Sequence, residues 1–455
     1  MTTAPPPPLG WIGILRLGLV QTALGAIVVV TTSTLNRVMV VELALPALLP
    51  GVLVALHHVV QLLRPRWGYG SDVGGRRTPW IVGGMGILAV GGVLASIATA
   101  WMGKDVVGGT ALAVLAFALI GVGVGACGTS LLVLLAKRVA EQRRAAAATT
   151  VWMMMITGFV VTAATAGHFL DPFSAGRLVA VTAAIAAIAF LVTLFAVHNV
   201  EGDAANAAER ERPSKTRAEA SFREAMAQVW AEPKARRFAI FVFVSMLAYS
   251  AQDLILEPFA GTVFGLTPGE STKLAGLQNA GVLVGMVLLA LLGSSTWGRR
   301  FGSLRQWTVR GCVASAAALV ALALGGFHAP AYPLQSVVFA LGVANGVFAV
   351  AAIGSMMDLV GVGRERREGV RMGIWGAAQG IAFALGGLVG TGAVDLTRSL
   401  MDSPIPAYAT VFVGEALMFL VAAVLAVRVA RPLPAQDRAR RFGTQDEPVT
   451  EMGTS

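Results

Sequence analysis

Twelve apolar stretches occupy most of this 455-residue chain, and they restrict it to a membrane-spanning fold. An α-helix rises about 1.5 Å per residue, so about 20 apolar residues cross a hydrocarbon core about 30 Å thick. Hydrophobic residues make up 56% of the sequence and charged residues only 13%, which excludes a soluble globular protein. The predicted spans are 12–34, 45–63, 79–101, 110–136, 147–169, 177–198, 238–260, 274–293, 307–327, 332–357, 372–394 and 407–430.

The basic residues indicate how the spans are oriented. Most lysines and arginines lie after spans 2, 4, 6, 8 and 10 and in the C-terminal tail. The opposite gaps contain only Arg37, Lys104, Arg177, Lys273 and Arg398. By the positive-inside rule, both termini are expected in the cytoplasm, with the chain in the bacterial inner (intracytoplasmic) membrane. The net charge of +10 therefore reflects topogenic loops that attract anionic lipids, and it does not predict nucleic-acid binding.

One long polar insertion divides the chain into two parts of similar length. We expect an N-terminal six-helix bundle over 1–198, a cytoplasmic linker over 199–237, a C-terminal six-helix bundle over 238–430 and a disordered cytoplasmic tail over 431–455. The predicted fold class is an all-α polytopic membrane protein with twelve transmembrane helices in two pseudo-symmetric halves.

The loop after span 2 contains a recognisable signature. Its sequence GYGSDVGGRR matches the pattern G-x-x-x-D-x-x-G-R-R at Gly68, Asp72, Gly75, Arg76 and Arg77. Glycines permit a tight turn between helices, and a carboxylate facing arginines would form a latch at the cytoplasmic mouth. The alternative is that a short basic loop needs no latch. The signature and the two six-helix halves resemble the major facilitator superfamily.

Polar residues are rare inside the spans, and each is therefore a candidate functional residue. Span 7 contains Asp253 and Glu257, which are four residues apart and share one helix face. The next residue, Pro258, removes a backbone donor and kinks the helix. Span 2 contains His57 and His58, whose side chains point about 100° apart, so at most one of them faces a given groove.

Each candidate also has a purely structural interpretation. Arg37, at the end of span 1, could neutralise Glu257 in an ion pair, and we weight this equally with a ligand role. Histidine is the commonest metal-binding side chain, but a lone histidine in a membrane more often bonds a neighbour. The sequence has no HExxH, G-x-S-x-G or phosphate-loop motif and no zinc-spaced Cys/His cluster. We therefore expect no catalytic residues and no enzyme activity.

Several longer strings resemble one family within the superfamily. They are TLNRVMVVEL (34–43), RPRWGYGSDVGGRRTPW (64–80), QDLILEPFAGTVFG (252–265) and RREGVRMGIWGAAQGIAFALGGLVGTGAVD (366–395). These strings resemble the PucC/LhaA family, the bacteriochlorophyll-delivery members of the major facilitator superfamily in phototrophic bacteria. The resemblance extends over essentially the whole chain.

The resemblance implies a role in light-harvesting complex assembly. Such a protein would hand bacteriochlorophyll to the antenna α and β subunits, with bacteriochlorophyll synthase as a further expected partner. A chlorin with an isoprenoid tail needs an apolar groove and an axial ligand for its magnesium, which favours oxygen donors but also accepts imidazole. By residue type and depth, the pigment-binding candidates are His57, His58, Asp253 and Glu257; the resemblance itself assigns none of them. No other metal site is expected.

A rival hypothesis is a secondary transporter of an amphipathic solute, driven by protons. In that case Asp253 or Glu257 would carry the proton, and the latch of Asp72 with Arg76 and Arg77 would open and close during alternating access.

Overall fold

A computed structural model describes residues 8–63, 76–201, 230, 233–294, 302–360 and 368–429 of the chain. Within these ranges the protein is entirely helical. Its twelve main helices are α1 (Trp11–Glu42), α2 (Leu48–Val60), α3 (Thr78–Met102), α4 (Val106–Arg138), α5 (Arg144–Phe169), α6 (Ala175–Val197), α7 (Pro233–Phe264), α8 (Pro268–Ser294), α9 (Leu304–Gly325), α10 (Leu334–Val360), α11 (Glu368–Leu400) and α12 (Pro404–Val429). Eleven of them are long and apolar enough to cross a membrane, and α2 is a shorter apolar helix.

The two halves are built on the same packing pattern. In the first half, α1 packs on α5 and α6, α2 on α4, and α3 on α4 and α6. In the second half, α7 packs on α11 and α12, α8 on α10, and α9 on α10 and α12. Adding six to each helix number converts one set into the other. The predicted all-α fold with two pseudo-symmetric halves is therefore confirmed.

Glycines bring α8 and α10 into direct backbone contact. Gly281 and Gly285 on α8 face Gly342 and Gly346 on α10, and a Cβ at any of the four would collide with a backbone carbonyl of the opposite helix. In lipid, such close approach increases the van der Waals contact that holds helices together. These intramembrane glycines thus serve packing within one half.

Helix α1 contains two π-helical turns. They cover Val30–Thr34 and Val38–Glu42 and are separated by the short α-helical segment Leu35–Arg37. A π turn adds one residue to the helical turn, so that residues five apart stack on the same side. The polar side chains of α1 between Ser33 and Glu42 therefore point in different directions from those they would have in an uninterrupted α-helix.

The halves meet along α1–α7 and along two seams, α2–α11 and α5–α8, which are pseudo-equivalent. We call the end of the bundle where residues 198–232 join α6 to α7 the linker end, and the opposite end the far end. At the far end, Asp395 of α11 accepts hydrogen bonds from the backbone N–H groups of Ala47 (2.9 Å) and Leu48 (2.7 Å), where α2 begins. On the other seam, Asp171 accepts one from Thr267 Oγ1 at 2.9 Å, just before α8 begins. A carboxylate thus holds the start of a helix of the other half on each seam, which is electrostatically favourable.

Candidate functional site

A chain of rings crosses the α2–α11 seam. His58 of α2 lies 5.6 Å, centroid to centroid, from Phe383 of α11, and Phe383 lies 6.1 Å from Tyr249 of α7. All three side chains are half-buried although they lie within the helical bundle. The first half therefore contributes an imidazole, and the second half two aromatic rings, to one surface between the halves.

The two adjacent histidines have different environments. The ring of His57 is 2% exposed, and its Nδ1 lies 2.9 Å from the carbonyl oxygen of Val54 in the same helix. Its backbone carbonyl packs directly on Gly121 of α4. His58 instead contacts Phe383 across the seam. The structure makes His58 the better placed of the two for a ligand between the halves, as expected for neighbours that point about 100° apart.

Asp253 lies one helical turn from Tyr249 on α7, so both residues are on the same face. It is half-buried, and its charge is close enough to act on Tyr249 and on Glu415 of α12. We call His58, Tyr249, Asp253 and Phe383 the seam cluster. It combines an imidazole nitrogen, carboxylate oxygens and aromatic ring faces. Across the described ranges, no group of three or more His, Cys, Asp or Glu residues is arranged to hold a metal ion. The seam cluster can therefore supply one ligand to a metal ion that is already bound within another molecule, but it does not form a metal site of its own.

Glu257, one turn further along α7, lies in a different environment. It is 1% exposed, and neither carboxylate oxygen accepts a hydrogen bond from the described part of the chain. Its polar neighbours are the hydroxyl groups of Ser33, Ser271 and Thr272. Two of these are already engaged: Ser271 donates to the Pro268 carbonyl at 3.2 Å, and Thr272 pairs with a threonine of α1 at 3.1 Å. We call Ser33, Glu257, Ser271 and Thr272 the Glu257 pocket.

The predicted Arg37–Glu257 ion pair is replaced by another. Arg37 Nη1 lies 2.5 Å from Glu42 Oε1, and Arg37 Nη2 donates to the Leu266 carbonyl at 2.6 Å. The reason is the π turn at the end of α1, which stacks residues five apart and brings Glu42 onto the side of Arg37. Arg37 remains near Glu257 and acts on it by its charge, without a direct ion pair. The guanidinium packs on Gly261, where a Cβ would lie 3.0 Å from Nη2.

Part of the predicted cytoplasmic latch lies outside the described residues, namely Gly68, Asp72 and Gly75. Of the two arginines, Arg76 is exposed, whereas Arg77 is 2% exposed and precedes α3. Their pairing with Asp72 stays a prediction.

Glu201 is a residue that the sequence analysis missed. It is 4% exposed and accepts hydrogen bonds from Arg77 N (2.5 Å), Thr78 N (2.9 Å) and Thr78 Oγ1 (2.8 Å) at the start of α3. Its own backbone carbonyl accepts from Arg138 Nη1 at 2.6 Å. A carboxylate at a helix N-terminus satisfies free N–H groups and interacts favourably with the helix dipole. The available signal was an acidic residue directly after span 6, at the level of two arginine-rich loops.

Two further polar residues are buried in the core of the second half. Gln252 is 0% exposed and Glu415 is 1% exposed, and their side-chain polar atoms have no hydrogen-bond partner among the described residues. Asn345 is also buried, but its Oδ1 accepts from Ser315 Oγ at 2.8 Å. Glu415 lies close enough to the seam cluster for the charge of Asp253 to act on it.

Comparison with known proteins identifies close relatives of the chain. A family model described as PUCC protein matches residues 34–433. The chain is 51% identical over 426 residues to the bacteriochlorophyll synthase 44.5 kDa chain of Rhodobacter capsulatus, covering 92% of this chain and 96% of that protein. It is 30% identical over 439 residues to protein PucC of the same organism, covering 91% of each.

Solved transporter structures share the fold. The nucleoside transporter NupG, as a D323A mutant, matches with a TM-score of 0.71 and 14% identity over 92% of this chain and all of that one. A bacterial homologue of the human drug peptide transporters PepT1 and PepT2 matches with a TM-score of 0.68 and 16% identity, over 95% of this chain and 99% of that one. At such low identity the likeness extends to the fold alone.

Proposed function

The chain belongs to the PucC family, and from this premise we propose that it binds bacteriochlorophyll and delivers it to the α and β polypeptides of a light-harvesting antenna. Family membership supports a role in the assembly of photosynthetic complexes, and a multi-pass membrane protein fits such a role.

The seam cluster is the observation that carries this proposal. A planar macrocycle can stack on aromatic rings such as Phe383 and Tyr249, which lie in a suitable chain across the seam. The magnesium of the pigment accepts one axial ligand, and His58 or Asp253 could supply an imidazole nitrogen or a carboxylate oxygen. His57 and Glu257, the other two candidates, are only 2% and 1% exposed and are less accessible to a ligand between the halves.

The outer side of the same seam is apolar and would suit an isoprenoid tail. Val59 of α2 and Ile381 and Leu385 of α11 are between 41% and 50% exposed. In a membrane, these side chains would face lipid. A pigment held at the seam cluster could therefore extend its tail between α2 and α11 towards the acyl chains, and leave sideways towards an antenna polypeptide.

We propose that the protein is not an enzyme. Its relative in Rhodobacter capsulatus is named as a chain of bacteriochlorophyll synthase, and a carrier that works beside the synthase is compatible with that name. We also place the chain in the bacterial inner (intracytoplasmic) membrane with both termini in the cytoplasm, on the evidence of its basic loops. The linker end is then cytoplasmic and the far end periplasmic.

The fold favours one alternative function. Solved relatives of the fold transport nucleosides and peptides, and a proton-coupled transporter of an amphipathic solute could use Asp253 or Glu257. A transporter must expose its site alternately at both ends, whereas a delivery factor needs only the lateral seam.

An absorption spectrum of the protein purified from its native phototroph in mild detergent would test the proposal. We expect a near-infrared bacteriochlorophyll band at a constant ratio to protein, with antenna polypeptides present in the same fraction. A colourless protein without antenna polypeptides, obtained from pigment-replete cells, would contradict delivery and favour transport.

A further inference from the structure

The Glu257 pocket lacks a partner for its charge. The carboxylate is 1% exposed at the junction of α1, α7 and α8, and neither oxygen has a hydrogen-bond partner in the described part of the chain. The hydroxyl groups of Ser33, Ser271 and Thr272 and the charge of Arg37 are near enough to act on it. Burying an ionised carboxylate without a partner is energetically unfavourable, and such groups in membranes are paired, neutralised or functional. The pocket therefore needs a positive charge that the nearby side chains do not fully supply.

The cations near the pocket are already paired with other carboxylates. Among the described residues, Arg37 of α1 is the cation that acts on Glu257, and it is already neutralised by Glu42 at 2.5 Å. On α8, Lys273 is 46% exposed at the far end, with its Nζ 4.0 Å from Asp171, and Glu270 is exposed. On α7 itself, Asp253 adds only further negative charge one turn away. Arg37 and Glu42 together contribute zero, so the single negative charge of ionised Glu257 is left unbalanced within the pocket.

The ligand atoms of the pocket suit a small hard cation. They are the two oxygens of Glu257 and the hydroxyl oxygens of Ser33, Ser271 and Thr272. Oxygen-only sites select hard cations, and a single negative charge matches a single positive one. We propose that the Glu257 pocket binds one monovalent cation, either Na⁺ or a proton.

Binding of this cation would be linked to closure of the far end. Ser33 belongs to the first half, whereas Glu257, Ser271 and Thr272 belong to the second. Three hydrogen bonds join the halves around the pocket: Thr34 to Thr272 at 3.1 Å, Asn36 to the Leu254 carbonyl at 2.7 Å and Arg37 to the Leu266 carbonyl at 2.6 Å. Separation of the halves at this end would take the pocket apart and expose Glu257 to water. A cation that binds only the closed form stabilises that form.

The test uses the full-length protein in detergent, without pigment. Ala47 is 3% exposed at the far end of the α2–α11 seam, and its hydrogen bonds to Asp395 and Gly51 involve only its backbone groups. An Ala47→Cys variant should therefore react with a maleimide only when the far end opens, and the native Cys127 and Cys312 are both buried. The labelling rate is measured with Na⁺ against choline at constant pH, and as a function of pH in sodium-free buffer. Because the thiolate is the reacting form of cysteine, each rate of the pH series is divided by the rate at which a small free thiol reacts at that pH.

We expect the cation to slow labelling by about tenfold at ten times its dissociation constant, because a ligand of the closed form alone multiplies the closed population by 1 + [L]/Kd. A response to Na⁺ at constant pH identifies Na⁺, and a response of the divided rate to pH alone identifies a proton. Glu257→Gln, which removes the charge, should label slowly without any cation. Asp402→Asn removes an exposed carboxylate at the same end and should respond as the parent does.

Two results would overturn the proposal: a parent protein that responds to neither cation, or a Glu257→Gln variant that responds as strongly as the parent. If Glu257→Gln does not fold, Ser33→Ala provides the second variant, and an unchanged half-maximal cation concentration would then count against the pocket. The measurement involves no pigment, so its failure would leave the proposed delivery function untouched, and the reverse also holds.

Discussion

The side-chain amide of Asn36 in α1 donates a hydrogen bond of 2.7 Å to the backbone carbonyl of Leu254 in α7. In a regular helix that carbonyl would accept from the N–H of the residue four positions later, which is Pro258 and has no N–H. The first half of the protein thus satisfies a backbone acceptor that proline frees in the second half. The bond lies one turn from Glu257 and ties the two halves together.

Replacement of Asn36 by Ala should destabilise the protein by about 1–3 kcal/mol, the cost of leaving a buried acceptor unsatisfied. Thermal unfolding in detergent measures the effect. In a Pro258→Ala background the carbonyl regains its helical donor, so the same replacement should cost clearly less. Equal costs in the two backgrounds would show that Asn36 does not act by satisfying this carbonyl.

Replacement of Glu201 by Ala should cost about 1–2 kcal/mol, because the N–H groups at the start of α3 lose their acceptor. Asp105→Ala is the matched control: its carboxylate accepts from Val107 N at 3.0 Å at the start of α4 but is exposed, so water can replace it. Denaturant unfolding of both variants gives the comparison. A control as damaging as Glu201→Ala would mean that burial of the carboxylate contributes nothing.

Replacement of Asp395 by Asn should open the far end more often. The neutral amide interacts more weakly with the start of α2, by about 0.3–1 kcal/mol. Maleimide labelling of Ala47→Cys should accordingly become about two- to fivefold faster. Asp402→Asn, an exposed neighbour at the same end, should leave the labelling rate unchanged. If Asp395→Asn labels no faster than this control, the carboxylate does not hold the seam closed.

Replacement of Glu42 by Gln should abolish the effect of cations on labelling. Without Glu42, the guanidinium of Arg37 is no longer neutralised, and its charge becomes available to Glu257. The variant should then label slowly with or without Na⁺, and its rate divided by that of a small free thiol should be the same at low and at high pH. A cation response like that of the parent would show that Arg37 and Glu42 do not set the charge of the pocket.

Replacement of His58 by Phe tests the pigment ligand. Phenylalanine keeps a flat ring against Phe383 but has no nitrogen for magnesium. A loss of about 1.4 kcal/mol in pigment affinity would lower the bacteriochlorophyll-to-protein ratio by about tenfold when the site is mostly empty. The absorption spectrum of the purified variant gives that ratio. His168→Phe changes an exposed histidine on α5 and should keep the parental ratio; an unchanged spectrum for His58→Phe would remove His58 from the site.

The sequence by itself determined the number of helices, their approximate positions and the two-part architecture. Each of these follows from local composition, because a segment must be apolar over the thickness of the bilayer to cross it. The close relation between Asp253 and Tyr249 on one helix face follows equally from the spacing of residues along α7.

Only the tertiary structure decided which polar groups meet. The sequence predicted an ion pair between Arg37 and Glu257. In the structure a π turn in α1 brings Glu42 beside Arg37, and these two residues form the ion pair. The ring contact between His58 and Phe383 and the hydrogen bond between Asn36 and Leu254 join residues far apart in sequence. Such contacts depend on how the helices of the two halves pack and rotate against each other. The periodicity of residues within a single helix does not determine this packing.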